Sequence, residues 1–437
     1  MGLFLYLYFM TIKQLHALFL KHPKICSDTR KVKKGDIFFA LKGDTFDGNT
    51  FASKALEQGA SFAIIDNAEF DLNNKKTILV KDTLKTLQEL AKFHRNYLGI
   101  PIIALTGSNG KTTTKELIHS VLSEKYNTIA TLGNLNNHIG VPLTLLTMNS
   151  ETEIGIVEMG ANHPTEINFL CHIANPDFGY ITNFGKAHLE GFGSIERVIE
   201  AKTELYRYIK ADHKIVFINA NDPIQLEKSK SIQCFSFGNK DANSNVLVEF
   251  IGANPFVKLK FSELKIESYL IGTYNFSNIA AAIAIGTYFK VPKEAIKRGI
   301  ENYTPNNNRS QIINKNGNTI LLDAYNANPS SMKAAIENFE QLVATKKVLL
   351  IGDMFELGKD AEKEHQNIVD LISSKNFDVV YFIGKNFFKT IINKTIATKV
   401  ESFEDAKNAL FSQKFSNCSI LIKGSRGMAL ERLLEIL

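Results

Sequence analysis

Cysteine is scarce. The chain carries four, Cys26, Cys171, Cys234 and Cys418, widely scattered and never paired as C-x-x-C. That spacing argues against a disulfide framework and a structural zinc site, and it fits a reducing, cytoplasmic setting. Clustered positive charge is missing too. The net charge of +6 is small for 437 residues and no lysine/arginine block stands out, so nucleic acid finds no support as a partner and the excess serves solubility before it serves any polyanionic substrate. Internal repeats and low-complexity tracts are absent, and the last third of the chain holds no G-x-G-x-x-G, which leaves no nicotinamide or flavin site to propose there. Apolar residues fill the opening stretch 1–10, MGLFLYLYFM. This run has no basic side chain before it and no small-residue cleavage pattern after it, and it is too short to span a bilayer. It reads as an extension ahead of a second start at Met10 or as a hydrophobic tail, and no membrane span is expected elsewhere.

What is present describes an ordinary globular chain. With 44% hydrophobic and 22% charged residues, 437 positions suggest about three domains, each large enough for its own core. The first segment, 10–98, alternates short strands (36–41, 61–65) with helices (51–58, 83–97), and Gly99-Ile100-Pro101 reads as a hinge. The second, 99–303, repeats strand-then-helix units, with near-continuous apolar strands over 102–105, 154–158, 179–182 and 215–219. Strands of that kind suit a parallel sheet covered on both faces. The polar, proline-marked stretch 304–309 reads as a linker, and 309–437 is a further α/β domain with strands over 319–323, 347–351, 379–383 and 419–422.

The most informative stretch is 102–114, IIALTGSNGKTTT. A buried β-branched strand runs into a glycine-punctuated turn and then a helix that opens on Lys-Thr-Thr. Glycines let the backbone turn its N–H groups toward an anion, and the helix start adds aligned amides and dipole. Lys111 is placed to meet β- and γ-phosphates and the Thr112 hydroxyl to ligate Mg²⁺. Leu105 occupies the first glycine position of G-x-x-x-x-G-K-[ST], and a bare Gly-Lys-Thr after a strand is also common structure. The phosphate reading draws its strength from convergence: Lys111/Thr112, Glu158, Asn183/His188 and Asn221/Asp222 all fall at or just beyond strand carboxyl ends, where ligands gather in such folds.

Lined up in order, these motifs resemble the Mur ligases from about Cys26 to the C-terminus. The Thr106-Gly107-Ser108-Asn109-Gly110-Lys111-Thr112-Thr113 loop is similar to the family's short P-loop. Glu158 in Val-Glu-Met-Gly-Ala-Asn-His matches its magnesium-binding glutamate. His188 in Ala-His-Leu-Glu-Gly-Phe-Gly matches a histidine that binds a second magnesium, and Lys202 in Glu-Ala-Lys-Thr-Glu matches a lysine that becomes carbamylated. Gly272-Thr-Tyr274-Asn275-Phe-Ser-Asn278 resembles the segment whose asparagines meet adenine, with Tyr274 in place of the usual histidine. The family's dipeptide-adding branch is resembled by Asp323-Ala-Tyr325-Asn326-Ala-Asn328-Pro-Ser330, by Gly352-Asp353-Met-Phe-Glu356-Leu-Gly358 and by Lys423-Gly-Ser-Arg426. Ser27-Asp-Thr29-Arg30 and Ala-Leu-Lys42-Gly43 resemble UDP-sugar-binding loops. The run from Gly133 through Asn134 and Asn137 to Pro142 resembles the loop that follows the P-loop in this branch, with His138 given no role where a carboxylate is common. The D-x-N-P-R-type box of the branch that adds the third residue is not found.

The resemblance implies an α/β fold of three domains: a central P-loop parallel sheet flanked by a small N-terminal α/β domain and a C-terminal Rossmann-like one. It implies ATP-dependent ligation of D-alanyl-D-alanine to UDP-N-acetylmuramoyl-tripeptide through an acyl phosphate, by a cytoplasmic monomer using two Mg²⁺. Lys111, Glu158, His188 and Lys202 would be catalytic, with Thr112, Glu158, His188 and the Lys202 carbamate on the metals. Arg309 and Asp323 would join the loop and Asn275/Asn278 at ATP. Ser27, Thr29, Arg30, Lys42, Gly43, Asn134 and Asn137 would hold the UDP-sugar peptide, and Tyr325, Asn326, Asn328, Ser330, Lys423 and Arg426 the dipeptide.

Residue by residue, plainer readings stand beside these. Glu158 also suits a strand-end cap, His188 a packed histidine, Lys202 a solvated helix lysine and Arg309 a linker arginine. Asn275 and Asn278, one helical turn apart, either face one base or cap their helix. Lys423 and Arg426 either hold a substrate carboxylate or cap a neighbouring helix. At the level of the whole chain, the rivals are a sibling ligase that adds the third amino acid and a degenerate nucleotide-binding partner. The second is disfavoured because Lys111, Thr112, Glu158, His188 and Lys202 are all present.

Overall fold

The near-continuous apolar runs do become buried strands, and helices alternate with them as parallel pairing requires. The computed structural model describes residues 10–437 apart from 73, 240–242, 307, 393–395, 412 and 414. The opening run 1–9 and Asn307 of the expected linker lie outside the described residues. Among the described residues no helix is long and apolar enough to cross a membrane. The chain divides into two compact units. One takes residues up to Leu105, Tyr126–Gly160 and Thr165–Gly179; the other takes Thr106–Lys125, Ala161–Pro164 and Tyr180–Leu437.

In the first unit, Ile25–Cys26, Ile37–Phe39, Phe62–Ile65 and Thr77–Leu79 pair in that order, all parallel. Phe38, Ala40, Ala52, Ala55, Ala63 and Ile65 pack as one apolar cluster against the sheet. The helix expected over 83–97 is Thr83–Leu98. Asp82 caps it by accepting from Lys85 N, and it stops at Gly99, whose φ of 64° is left-handed. The strands Ile102–Thr106 and Ile154–Glu158 are buried along their whole length and parallel, with Leu105 opposite Glu158, and Thr128–Ala130 lies on the far side of the second. The register brings Glu158 to a carboxyl end.

In the second unit the helix Lys111–Ser123 packs on Asn275–Tyr288, itself almost wholly apolar and buried. Ile215–Asn219, Gln233–Gly238 and Val246–Ala253 pair in parallel, and the last turns into an antiparallel meander with Phe256–Phe261 and Leu264–Ile271. The meander has no counterpart among the expected strands. Its signal is two-residue alternation (Val257, Leu259 and Phe261 inward, Lys258 and Lys260 outward), which a search for continuous apolar runs passes over.

The last sheet runs Gln311–Lys315, Asn318–Asp323, Ser419–Lys423, Lys347–Gly352, Val379–Ile383, Ala397–Val400; its first pair is antiparallel and the others parallel. All four expected strands are there. The two unforeseen ones are the edges, which are less completely buried and so less apolar. Asp323 and Lys423 are register partners at adjacent carboxyl ends.

One arginine ties the first unit together. Arg95, 5% exposed, donates to the carbonyls of Ala174 and Asn175 and to Asp177 Oδ2 at 2.7 Å, and Asp177 in turn accepts from Ile102 N at 2.9 Å. Arg95→Met would leave these acceptors short of a donor and is expected to cost about 2 kcal/mol. The check is the thermal midpoint followed by circular dichroism, and an unchanged midpoint contradicts the tie.

Candidate active site

The loop after Ile102–Thr106 takes a shape only glycine permits. Gly107 has φ +145°, and a Cβ there would sit 2.0 Å from Thr182 Oγ1; Gly110, at φ +77°, lies against the Asn278 side chain. Asn183 clamps the turn from the side. Its Oδ1 accepts from Asn109 N at 3.0 Å, and its Nδ2 donates to Asn109 O at 2.9 Å. Thr182 Oγ1 donates to the same carbonyl at 2.6 Å, and Ser108 Oγ donates to Gly185 O at 2.9 Å. With its carbonyl and side-chain groups engaged this way, the loop leads into the helix at Lys111, the first helical residue. The Lys111 amine folds back onto Gly107 O at 2.7 Å and Ser108 O at 3.4 Å, the resting place of a cation awaiting a stronger anion. Thr112 and Thr113 are buried behind it, and Thr106 Oγ1 is buried with no hydrogen-bond partner.

Beyond the loop, residues 183–190 are fixed from a second side. Asn328 Nδ2 donates to Asn109 Oδ1 at 2.7 Å, Lys186 N donates to Ser330 Oγ at 3.0 Å, and Lys186 Nζ pairs with Glu364 at 2.7 Å. His188 is in ion-pair contact with Glu356, although the ring nitrogen is poorly aligned for an ideal hydrogen bond. The His188 partner holds the Glu356 carboxyl below its ordinary range despite partial burial, with Lys111 adding a smaller pull. Lys202, fully buried at the end of the helix Ile195–Lys202, donates to Ala161 O at 3.2 Å and stands 5.2 Å over the Phe192 ring. The plain reading of a solvated helix lysine therefore fails. Of these groups, the sequence analysis passed over Lys186 and Glu364 and gave Glu356 no role.

The two asparagines expected at adenine are buried and committed to the protein. Asn278 Nδ2 donates to Asn275 Oδ1 at 2.8 Å, Asn278 Oδ1 accepts from Thr114 Oγ1 at 3.0 Å, and Asn275 Nδ2 donates to Ile271 O at 2.8 Å. They buttress the loop helix from beneath. Tyr274, in the usual histidine position, meets Ser310 Oγ at 2.9 Å, and burial pushes its phenol well up. Asp323 accepts from Ser310 N at 3.2 Å and pairs with Lys423 at 2.6 Å, so Lys423, 1% exposed, is occupied by Asp323 and by the Asp323 and Asn326 carbonyls. The Arg309 guanidinium stacks 3.8 Å from the Tyr325 ring centre and keeps a buried, unpartnered Nε; Arg426 lies 5.5 Å from the same ring. Asn326 accepts from Ala327 N, and Asn328 caps the helix Pro329–Gln341.

In the first unit, Glu158 is 1% exposed. Its Oε1 accepts from Asn136 Nδ2 at 2.8 Å, while Oε2 is buried without a partner. Asn136 lies within the run 133–142 and has no role in the sequence reading; its place beside Glu158 comes only from the fold. Asn137 caps the turn before Gly140–Leu145, and Asn134 O accepts from Asn136 N. Because Ile25–Cys26 and Ile37–Phe39 are parallel neighbours, the segments holding Ser27, Thr29 and Arg30 and holding Lys42 and Gly43 leave one end of the sheet. Arg30 forks onto Asp28 and holds that carboxyl down at about 2; Lys42 pairs with Asp66 at 2.9 Å.

The orphaned Glu158 oxygen fits a hard cation, which takes oxygen donors. Among the described residues no group of three or more His, Cys, Asp or Glu assembles a metal site unaided. A metal beside Glu158 would therefore need further oxygen donors beyond these residue types.

Models of three families of domain match the chain. "Mur ligase family, catalytic domain" covers residues 24–95, "Mur ligase middle domain" 105–286 and "Mur ligase, glutamate ligase domain" 308–426. A UDP-N-acetylmuramoyl-tripeptide–D-alanyl-D-alanine ligase of Bacillus subtilis is 37% identical, covering 94% of this chain and 92% of its own, and one from Escherichia coli is 34% identical over 94% and 93%. Among solved structures, MurF from Acinetobacter baumannii superposes with a TM-score of 0.85 at 30% identity, covering 97% of this chain and 98% of its own. MurF from Thermotoga maritima in complex with ADP gives 0.82 at 27% identity, covering 95% and 97%.

The clamp on the loop is testable. Asn183→Ala removes both side-chain bonds to Asn109 and is expected to weaken ADP binding roughly tenfold, about 1.4 kcal/mol, by titration calorimetry. Wild-type affinity in that variant contradicts the clamp.

Proposed function

Since the chain belongs to the Mur ligase family, we propose that it joins D-alanyl-D-alanine to UDP-N-acetylmuramoyl-tripeptide at the expense of ATP, giving the pentapeptide precursor of peptidoglycan, ADP and phosphate. The observation that carries this reading is the clamped loop leading into Lys111, with the residues of the dipeptide-adding branch bonded to it through Asn328 and Asn109. In this reading the chain acts as a monomer. The four cysteines are free, as suits a cytoplasmic enzyme.

We assign residues 10–98 to the UDP-sugar end, 99–303 to ATP and 309–437 to the incoming dipeptide. A free carboxylate does not acylate an amine, because oxide is too poor a leaving group. Transfer of the γ-phosphoryl group onto the tripeptide carboxylate replaces oxide with phosphate. The amine then attacks the acyl carbon, the C–O bond to phosphate breaks, and the amine loses its proton. This chemistry asks the protein for positioning and charge neutralisation.

The amides at the start of the helix and Lys111 meet the phosphates, the amine leaving its own loop carbonyls to do so. Arg309, stacked on Tyr325 with Nε unpartnered, offers a fixed positive fork, and Asp323, held by Lys423, completes the ATP assignment. Thr112, Glu158, His188 and Lys202 are the residues assigned to magnesium, which when bound neutralises charge on the transferring group. Lys202 serves as its carbamate: the amine adds to carbon dioxide and releases a proton, turning a buried cation into an anionic oxygen donor. Ser27, Thr29, Arg30, Lys42, Gly43, Asn134 and Asn137 are assigned to the UDP-sugar peptide. Tyr325, Asn326, Asn328, Ser330 and Arg426 face the dipeptide in this assignment, with Lys423 acting through Asp323.

The direct test is phosphate release from ATP and Mg²⁺ with UDP-N-acetylmuramoyl-tripeptide, comparing D-alanyl-D-alanine with single amino acids. Release that requires the dipeptide is expected. Release only with a single amino acid on a shorter nucleotide moves the chain to the sibling branch. Lys111→Ala should abolish release with the fold retained, and surviving turnover would overturn the loop assignment. Protein equilibrated with ¹³C-labelled carbon dioxide should show a carbamate carbon signal that Lys202→Arg lacks; a signal present in both contradicts the modification.

A further inference from the structure

We propose that Glu356 is a positioning residue for His188, fixing which ring nitrogen of that histidine is left open to magnesium; the inference rests on the assignment of His188 made above. The carboxylate of Glu356 contacts Nδ1 of His188. A carboxylate only accepts, so its place beside Nδ1 favours the tautomer with the proton on Nδ1 and the lone pair on Nε2. In a free imidazole the proton is shared between the two nitrogens. A carboxylate on one of them settles the tautomer and orients the ring, the usual means by which a partner group prepares a ligand histidine.

The backbone points the same way. His188 at φ 52° and Glu356 at φ 61° both occupy the left-handed region, which costs non-glycine residues energy and persists where the surroundings impose it. Here the surroundings do impose it. Glu190 N donates to Glu356 O at 3.1 Å, and Gly358, at φ +53°, approaches so near that a Cβ on it would lie 3.3 Å from Glu190 Cα. The two turns are thus locked together by main chain, with the two side chains meeting across them. Lys186 anchors the same segment to Ser330 and Glu364. At 50% side-chain exposure Glu356 is not a core group, and its carboxylate is directed at His188. Glu356 therefore makes the state of His188 depend on the docking of residues 328–364, the part of the chain assigned to the dipeptide.

The test uses the full chain with ¹⁵N-labelled histidine, free of nucleotide and metal, at an alkaline pH where imidazole is neutral. The His188 signal is identified by its loss in His188→Gln. Wild type should show the Nδ1–H tautomer, Glu356→Gln should retain it through its amide oxygen, and Glu356→Ala should shift to the Nε2–H form. Mn²⁺ affinity, read by electron paramagnetic resonance with ADP in place, should fall about tenfold in Glu356→Ala and less in Glu356→Gln, with ADP affinity unchanged as the check on folding. An unaltered tautomer in Glu356→Ala overturns the proposal. So does wild-type Mn²⁺ affinity in Glu356→Ala when His188→Gln binds it weakly; in that case the assignment of His188 survives. Wild-type Mn²⁺ affinity in His188→Gln removes the assignment itself and the proposal with it.

Discussion

The turn between Thr106 and Lys111 has to carry the chain from a strand end into a helix whose first amides are open to an anion, and a chain of L-residues does not hold that shape unaided. Two glycines with positive φ make it reachable, and neighbours make it stay. Thr182 fills the space a Gly107 side chain would need, and Asn183 satisfies both the N–H and the carbonyl of Asn109. Asn278 sits under Gly110 and is itself pinned by Asn275 and Thr114. The strands, the loop helix and the asparagines of the helix Asn275–Tyr288 all serve this one constraint. Preorganisation of this kind is what phosphoryl transfer needs, because donors already in place do not have to reorganise when charge develops.

Burial of charge shapes the rest of the site. Lys202 is enclosed between the Ala161 carbonyl and an aromatic face, and Lys423 is saturated by Asp323 and two carbonyls. Glu158 has one oxygen satisfied and one orphaned. Desolvated charges are tolerated where a partner or a ligand compensates them. The orphan oxygen of Glu158 and the Nε of Arg309 are therefore informative, since each is an unfilled valence suited to a bound ion of opposite sign. Lys423 gives the contrary lesson. A conspicuous cation after a buried strand is here bonded to Asp323 and to two carbonyls.

Much of this was legible in the sequence. Long apolar runs gave the central strands of every parallel sheet, and Gly-Ser-Asn-Gly-Lys-Thr gave the loop, because both signals are local. The meander over Val246–Ala253, Phe256–Phe261 and Leu264–Ile271 was not read, since its alternating pattern is weaker than a continuous run. The partners of the site residues were illegible for a different reason. Asn136 beside Glu158, Glu356 against His188 and Lys186 on Glu364 are contacts between residues 22, 168 and 178 positions apart, and nothing in a single sequence marks such pairs. Asn275 and Asn278 show the limit of spacing arguments. Their separation puts them in contact with each other, and only the fold shows that they also bond to Thr114 and Ile271.

The central claim is that the clamped loop serves to activate a carboxylate by phosphorylation. Isotope transfer tests it without intermediaries. UDP-N-acetylmuramoyl-tripeptide with both oxygens of its reacting carboxylate labelled as ¹⁸O is turned over with ATP, Mg²⁺ and D-alanyl-D-alanine, and the released phosphate is examined by mass spectrometry. An acyl phosphate delivers one labelled oxygen to phosphate and leaves the other in the new amide. Phosphate carrying one ¹⁸O per turnover is the result the account predicts; unlabelled phosphate formed alongside ligated product would contradict it.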